Sequence, residues 1–78
     1  KVMQATGGSF DDEKMLAAEP KLAGFDAIDL NGSAISDDGL AALFGKPNLR
    51  YIVLLNTKIS YESVIRLQRN HRDAWIWW

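Results

Sequence analysis

A 24-residue period in the second half of the chain limits the possible folds more than any other feature of the sequence. Eight positions from Phe25 onward are followed, 24 residues later and without a gap, by a residue of similar character. They are Phe25, Ile28, Leu30, Ser33, Ile35, Ser36, Leu40 and Leu43, matched by Leu49, Ile52, Leu54, Thr57, Ile59, Ser60, Val64 and Leu67. A period of roughly 20 to 50 residues is typical of proteins in which like units stack and share a core. The sequence therefore predicts two stacked units, residues 25–48 and 49–72.

Each unit has the pattern of a strand followed by a helix. Ile28 and Leu30 lie two residues apart, as in a strand with one buried face, whereas Leu40 and Leu43 have the spacing of a helix. Ser36 can cap the first turn of that helix, because a serine hydroxyl accepts a hydrogen bond from a backbone N–H there. Strands that are joined through helices run parallel in one sheet. An α/β fold with parallel strands is expected.

Both units fit the pattern apolar-x-x-apolar-x-Leu-x-x-Ser/Thr-x-Ile, in the segments FDAIDLNGSAIS and LRYIVLLNTKIS. In this pattern the chain resembles the leucine-rich-repeat family. The resemblance implies a short right-handed solenoid whose parallel strands form one side and whose helices form the convex side. It covers residues 5–78 and concerns the fold, since repeat folds of one kind bind many different partners.

The string ATGGSFDDEK before the first unit resembles the start of short leucine-rich-repeat domains in bacterial proteins. The 24-residue period does not extend backward through residues 1–24, which are therefore expected to form an N-terminal cap. The resemblance implies that Ser9 to Lys14 form an antiparallel strand against Gly24 to Leu30.

At the other end, the period predicts that residues 73–78 form a terminal strand. Ile76 follows Ile52 by 24 residues and Trp78 follows Leu54 by the same distance. Both side chains are therefore expected to point into the core. The whole chain, residues 1–78, is interpreted as a single domain.

Few residues in this sequence suggest catalysis or metal binding. The chain has no Cys, which excludes disulfides, thiolate metal sites and cysteine nucleophiles. His71 is the only histidine, and a lone surface histidine is usually inert. We expect no enzymatic activity and no cofactor. The chain begins at Lys1 rather than Met, for which removal of an export signal, proteolysis or a chosen boundary are alternative explanations, and the compartment stays open.

The alternation of the strands predicts an apolar outer face on the second and third strands. Residues 24 apart should stack in columns, one of them Ala27, Tyr51 and Trp75 and the next Asp29, Val53 and Trp77. The side chains expected on this face are Tyr51, Val53, Leu55, Trp75 and Trp77. Trp and Tyr are enriched at binding hot spots. The sequence thus predicts a module or small accessory subunit that binds another protein, such as a larger complex or a parent chain, through this face.

Three alternatives to that interpretation stay open. The end of the chain could fold over and bury Trp75 or Trp77 as a C-terminal cap. Exposed Trp rings could instead stack on a carbohydrate or another small ligand. Contact with a membrane interface is a weaker alternative, since Trp and Arg are common there.

Charge is unevenly distributed along the chain. Residues 1–45 carry three basic and eight acidic side chains, and residues 46–78 carry six basic and two acidic ones. Within the second part Arg66, Arg69 and Arg72, with His71, form a secondary basic patch that is expected to lie close to the aromatic face. Aromatic and basic residues together occur in single-stranded nucleic-acid binders, but the overall charge of -1 and the lack of a nucleic-acid motif argue against that partner.

Overall fold

The computed structural model describes all residues from 1 to 78 and has a single four-stranded sheet whose strands are all parallel. The strands, in both chain and sheet order, are β1 (Val2–Gln4), β2 (Ala27–Asp29), β3 (Tyr51–Val53) and β4 (Trp75–Trp77). The three α-helices are α1 (Asp12–Ala18), α2 (Asp37–Leu40) and α3 (Tyr61–Asn70), and 3-10 turns continue the first two over Glu19–Gly24 and Ala41–Leu43. The protein is thus a small α/β fold with strands and helices in alternation.

The register of the sheet follows the predicted columns. Ala27 is paired with Tyr51 and Tyr51 with Trp75, and the neighbouring column joins Asp29, Val53 and Trp77. The predicted parallel arrangement of these strands is confirmed. Ile28 and Ile52, which lie between the column residues, are 1% and 0% exposed. The core therefore lies on one face of the sheet, together with buried helical residues such as Leu40 and Leu67.

The predicted antiparallel strand at Ser9 to Lys14 is wrong. Asp11 in this segment begins α1, since its carboxylate accepts a hydrogen bond from the Lys14 N–H at 3.0 Å. Asp12 and Glu13 then occupy the first turn, where negative charge is favourable to a helix. The strand of this region is β1, which runs parallel to β2 with Met3 opposite Ile28. Residues 1–24 consequently have the same order of strand, turn and helix as the two later segments.

Carboxylates link each helix start to the next. The Asp12 Oδ1 atom accepts a hydrogen bond from the Ser36 N–H at 2.8 Å, and the Asp37 Oδ1 atom accepts one from the Ser60 N–H at 2.9 Å. Gly39 permits the close approach of α1 and α2, because a Cβ atom at this position would lie 2.1 Å from the Asp12 Oδ1 atom. Each helix therefore begins against the first turn of the preceding one.

This link predicts a pH-dependent contribution to stability. Hydrogen bonds from the Ser60 N–H and hydroxyl hold the pKa of Asp37 below its ordinary value of 3.8. A lowered folded-state pKa means that the stabilisation is complete above about pH 4 and is lost as the pH falls through the folded-state pKa. We expect Asp37→Ala to lower the free energy of unfolding at pH 7 and to have little effect near pH 2. Urea unfolding at the two pH values would check this, and an equal loss at both would contradict it.

The prediction for the end of the chain is half right. Ile76 is partly buried and packs against the core, but Trp78 is 53% exposed, so its predicted burial is wrong. Four strands are accompanied by only three α-helices, and no helix follows β4 within residues 1–78. The Trp78 ring instead lies beside Tyr61 at the start of α3, with 5.1 Å between ring centroids.

Candidate interaction face

Strands β3 and β4 present apolar side chains on the face of the sheet that is opposite the core. Because successive side chains of a strand point to opposite faces, the burial of Ile52 directs Tyr51 and Val53 outward. The four large side chains Tyr51, Leu55, Trp75 and Trp77 are between 42% and 65% exposed, and Val53 between them is half-buried. We call this set of five residues the aromatic face.

The rings of the aromatic face are ordered against one another. Trp77 stacks with Tyr51 across the strands and with Trp75 along β4, each at 6.3 Å between centroids and with interplanar angles of 23° and 24°. Trp75 and Trp77 are 65% and 43% exposed, so the alternative in which they are buried as a cap is wrong. The mutual stacking limits the rotamer freedom of these side chains, which lowers the entropy that binding has to remove.

The aromatic face stops at β2. Its neighbours there are Ala27, which is buried, and Asp29, which is half-buried and accepts a hydrogen bond from the Asn31 N–H at 3.0 Å. Beyond the strands, the Asn56 side-chain amide donates to the Asn31 Oδ1 atom at 2.8 Å. A polar region therefore borders the apolar one within the same sheet, as is usual for the rim of a protein interface.

The predicted basic patch does not adjoin the aromatic face as a unit. Arg66 and Arg69 are exposed on α3, which packs against the core face of the sheet, and Arg72 is exposed in the loop before β4. Arg66 and Arg69 line a shallow hollow of about 330 Å³ together with Tyr61 and Ile65. The sheet lies between these two arginines and the aromatic face, so the predicted proximity is wrong.

His71 is a buried residue and not a surface one, which corrects the prediction for it. It is 5% exposed, and its Nε2 and Nδ1 atoms lie 3.0 Å from the Lys46 carbonyl oxygen and 3.3 Å from the Leu67 carbonyl oxygen. The ring therefore ties the end of α3 to the loop that follows α2. Its contacts are those of a structural residue.

Sequence reasoning missed two features. The Asn48 side-chain amide donates to the Leu22 and Phe25 carbonyl oxygens, both at 2.7 Å, and so joins neighbouring turns of the chain. The exposed pair Tyr61 and Trp78 was missed because both were assigned by their period positions, where the preceding units have Asp37 and Leu54. A Tyr in place of an N-terminal helical Asp was the available signal.

Other sites are less well formed. A groove of about 340 Å³ lies between α1 and α2, where Met15, Leu16 and Ala42 form its apolar part and Asp12 and Glu19 lie among its polar residues. No group of three or more His, Cys, Asp or Glu side chains is placed to hold a metal ion. None of the helices combines the length and the apolar character that crossing a membrane requires.

Comparison with protein-family models, with curated proteins and with solved structures finds no match to this chain.

Proposed function

We propose that this protein is a short leucine-rich-repeat solenoid that binds another protein through its aromatic face and has no catalytic activity of its own. The 24-residue register between β2, β3 and β4 supports the repeat assignment, as does the parallel direction of the strands. A strand, crossover and parallel strand in one sheet is nearly always right-handed, which favours a right-handed solenoid. Residues 25–48 and 49–72 are its repeats under this proposal.

The observation that carries the binding function is the exposure of four large apolar side chains on one half of one sheet face. Solvent-exposed Tyr, Leu and Trp side chains in contact with one another are costly to leave in water. A contiguous patch of about 300 to 600 Å² on a small protein is commonly an interaction site. Trp75 and Trp77 are the expected hot-spot residues, because aromatic anchors dominate the binding energy of most interfaces.

A carbohydrate or other small ligand is the second candidate. Trp75 supports it, since this ring is the most exposed of the aromatic face at 65%. The stacking of Trp77 with both Tyr51 and Trp75 favours a protein partner instead, because a sugar ring binds to a free aromatic face and the faces of Trp77 are turned toward its neighbours.

Affinity capture with three forms of the chain tests this proposal. The first is the unaltered chain, the second carries Tyr51→Ser, Trp75→Ser and Trp77→Ser, and the third is a matched control with Leu16→Ser and Tyr61→Ser on the helical side. We expect a protein that is retained by the first and third forms and at least tenfold less by the second. Circular dichroism verifies that all three forms are folded.

Equal retention by all folded forms would exclude the aromatic face as the docking site. Retention of no protein, together with Trp fluorescence changes on addition of oligosaccharides, would favour the small-ligand candidate.

A further inference from the structure

The end of the sheet at β4 lacks the helix that accompanies the other strands. The apolar side chains around this place are Tyr61 and Ile65 on α3 and Ile76 and Trp78 on or after β4. Tyr61 and Trp78 are 61% and 53% exposed, and the two isoleucines are half-buried. We call these four residues the open end.

The packing of α2 against α1 shows how such an end is covered elsewhere in the molecule. The groove between those helices is lined on the α1 side by Asp12, Leu16 and Glu19, and on the α2 side by residues that include Gly39 and Ala42. The strand register, 25 residues from β1 to β2 and 24 from β2 to β3, assigns Tyr61, Ile65 and Gln68 to the corresponding flank of α3. A helix packs on the first of these flanks and none packs on the second.

The outer edge of β4 is also free to pair. The Trp75 N–H donates to the Arg50 carbonyl oxygen at 2.7 Å, and the Trp77 carbonyl oxygen accepts from the Leu54 N–H at 2.6 Å. Because alternate residues of a parallel strand direct their N–H and C=O groups to opposite sides, those of Ile76 point away from β3. An edge of this kind, with apolar residues and without Pro or Lys, is suited to accept another strand.

Charge indicates which kind of segment fits there. Arg66 and Arg69 lie beside Tyr61 and Ile65 in the hollow on α3, and Arg72 is exposed just before β4. A second copy of this chain related by a two-fold axis would bring the same arginines together, because such interfaces are self-complementary. Like charges at an interface disfavour that arrangement, whereas an acidic partner would be favoured.

We propose that the open end is a second docking surface, which binds an acidic strand-and-helix segment of a partner protein. The extended part of the segment pairs with β4 at Ile76, and its helix packs its apolar side on Ile65 and Trp78 with carboxylates toward Arg66 and Arg69. The surface is separate from the aromatic face, and its existence does not depend on the function proposed for that face.

The chain itself supplies a suitable probe, a synthetic peptide of residues 25–48. This peptide contains the β2 and α2 sequences and carries four acidic side chains and one basic one. Titrated into the isotopically labelled full chain, it is expected to shift the amide and indole NMR signals of the open end in a saturable manner. Arg66→Glu with Arg69→Glu should weaken binding at least tenfold, while the matched control Lys14→Glu, an exposed reversal on α1, should change it less than twofold.

Three outcomes would overturn the proposal. They are the absence of saturable shifts at millimolar peptide, equal binding to the arginine variant and the control, and sedimentation of the unliganded chain as a dimer through Tyr61 and Trp78. The variant with Ser at positions 51, 75 and 77 should still bind the peptide. Its behaviour separates a failure at this surface from a failure at the aromatic face.

Discussion

Replacement of Ile52 by Ala should cost the protein about 2 to 5 kcal/mol of its free energy of unfolding. Ile52 is 0% exposed at the centre of β3, between Ile28 and Ile76 in the sheet register. Its loss removes buried apolar area and leaves a cavity that a close-packed core refills only in part. A chain of this size has a total stability of roughly 4 to 12 kcal/mol, so the variant should be substantially unfolded or close to it. Urea unfolding followed by Trp fluorescence would measure the change.

Val53→Ala is the matched control for this prediction. Val53 follows Ile52 in the same strand but is half-buried on the outer face, and the substitution removes a similar kind of side chain without opening a core cavity. We expect a loss below about 1 kcal/mol. Similar losses for the two variants would mean that the core does not lie on the face of the sheet described here.

The sequence predicted the parallel sheet from residue 25 onward because spacing and register coincide there. Ile28, Ile52 and Ile76 are exactly opposite one another, so a gapless period translates directly into strand pairs. Alternation then assigned Tyr51 and Trp75 to the outer face. These are consequences of backbone geometry, which depends little on the rest of the molecule.

The first strand and helix escaped the same reasoning because their spacing is different by one residue. Val2 pairs with Ala27, 25 residues later, and a search at 24 residues therefore loses the match. At a spacing of 25, Gly7 corresponds to Gly32, and both have positive φ angles, 91° and 71°. A turn that needs a left-handed residue is thus common to both segments. The single additional residue is accommodated in a turn, where length is less constrained than in the sheet.

The misassigned side chains share a different cause. Trp78 has a core position by period, but its burial depends on whether another element covers that position. His71 was assigned to the surface by its basic neighbours, yet its ring meets the Lys46 carbonyl oxygen 25 residues away in sequence. Contacts between successive loops are set by tertiary structure, and neither periodicity nor composition reveals them.

Asn48→Ala tests the most specific of these loop contacts and should lower the free energy of unfolding by about 1 to 3 kcal/mol. The part-buried Asn48 amide nitrogen donates to two backbone carbonyl oxygens, those of Leu22 and Phe25. Without this donor both carbonyls lose a protein partner in a place where solvent has limited access. Denaturant unfolding at pH 7 gives the magnitude.

Asn48→Asp keeps the shape of the side chain and removes only the donor. At pH 7 the introduced carboxylate would face two carbonyl oxygens, so this variant should be less stable than Asn48→Ala despite its closer resemblance to asparagine. Repulsion raises the folded-state pKa of the introduced carboxyl above its unfolded value, and protonation therefore restores stability as the pH falls through that folded-state pKa. The difference between the two variants should shrink or reverse near pH 4, since a protonated carboxyl can again donate one hydrogen bond. An aspartate variant as stable as the unaltered protein at pH 7 would show that the two bonds to Leu22 and Phe25 do not hold these turns together.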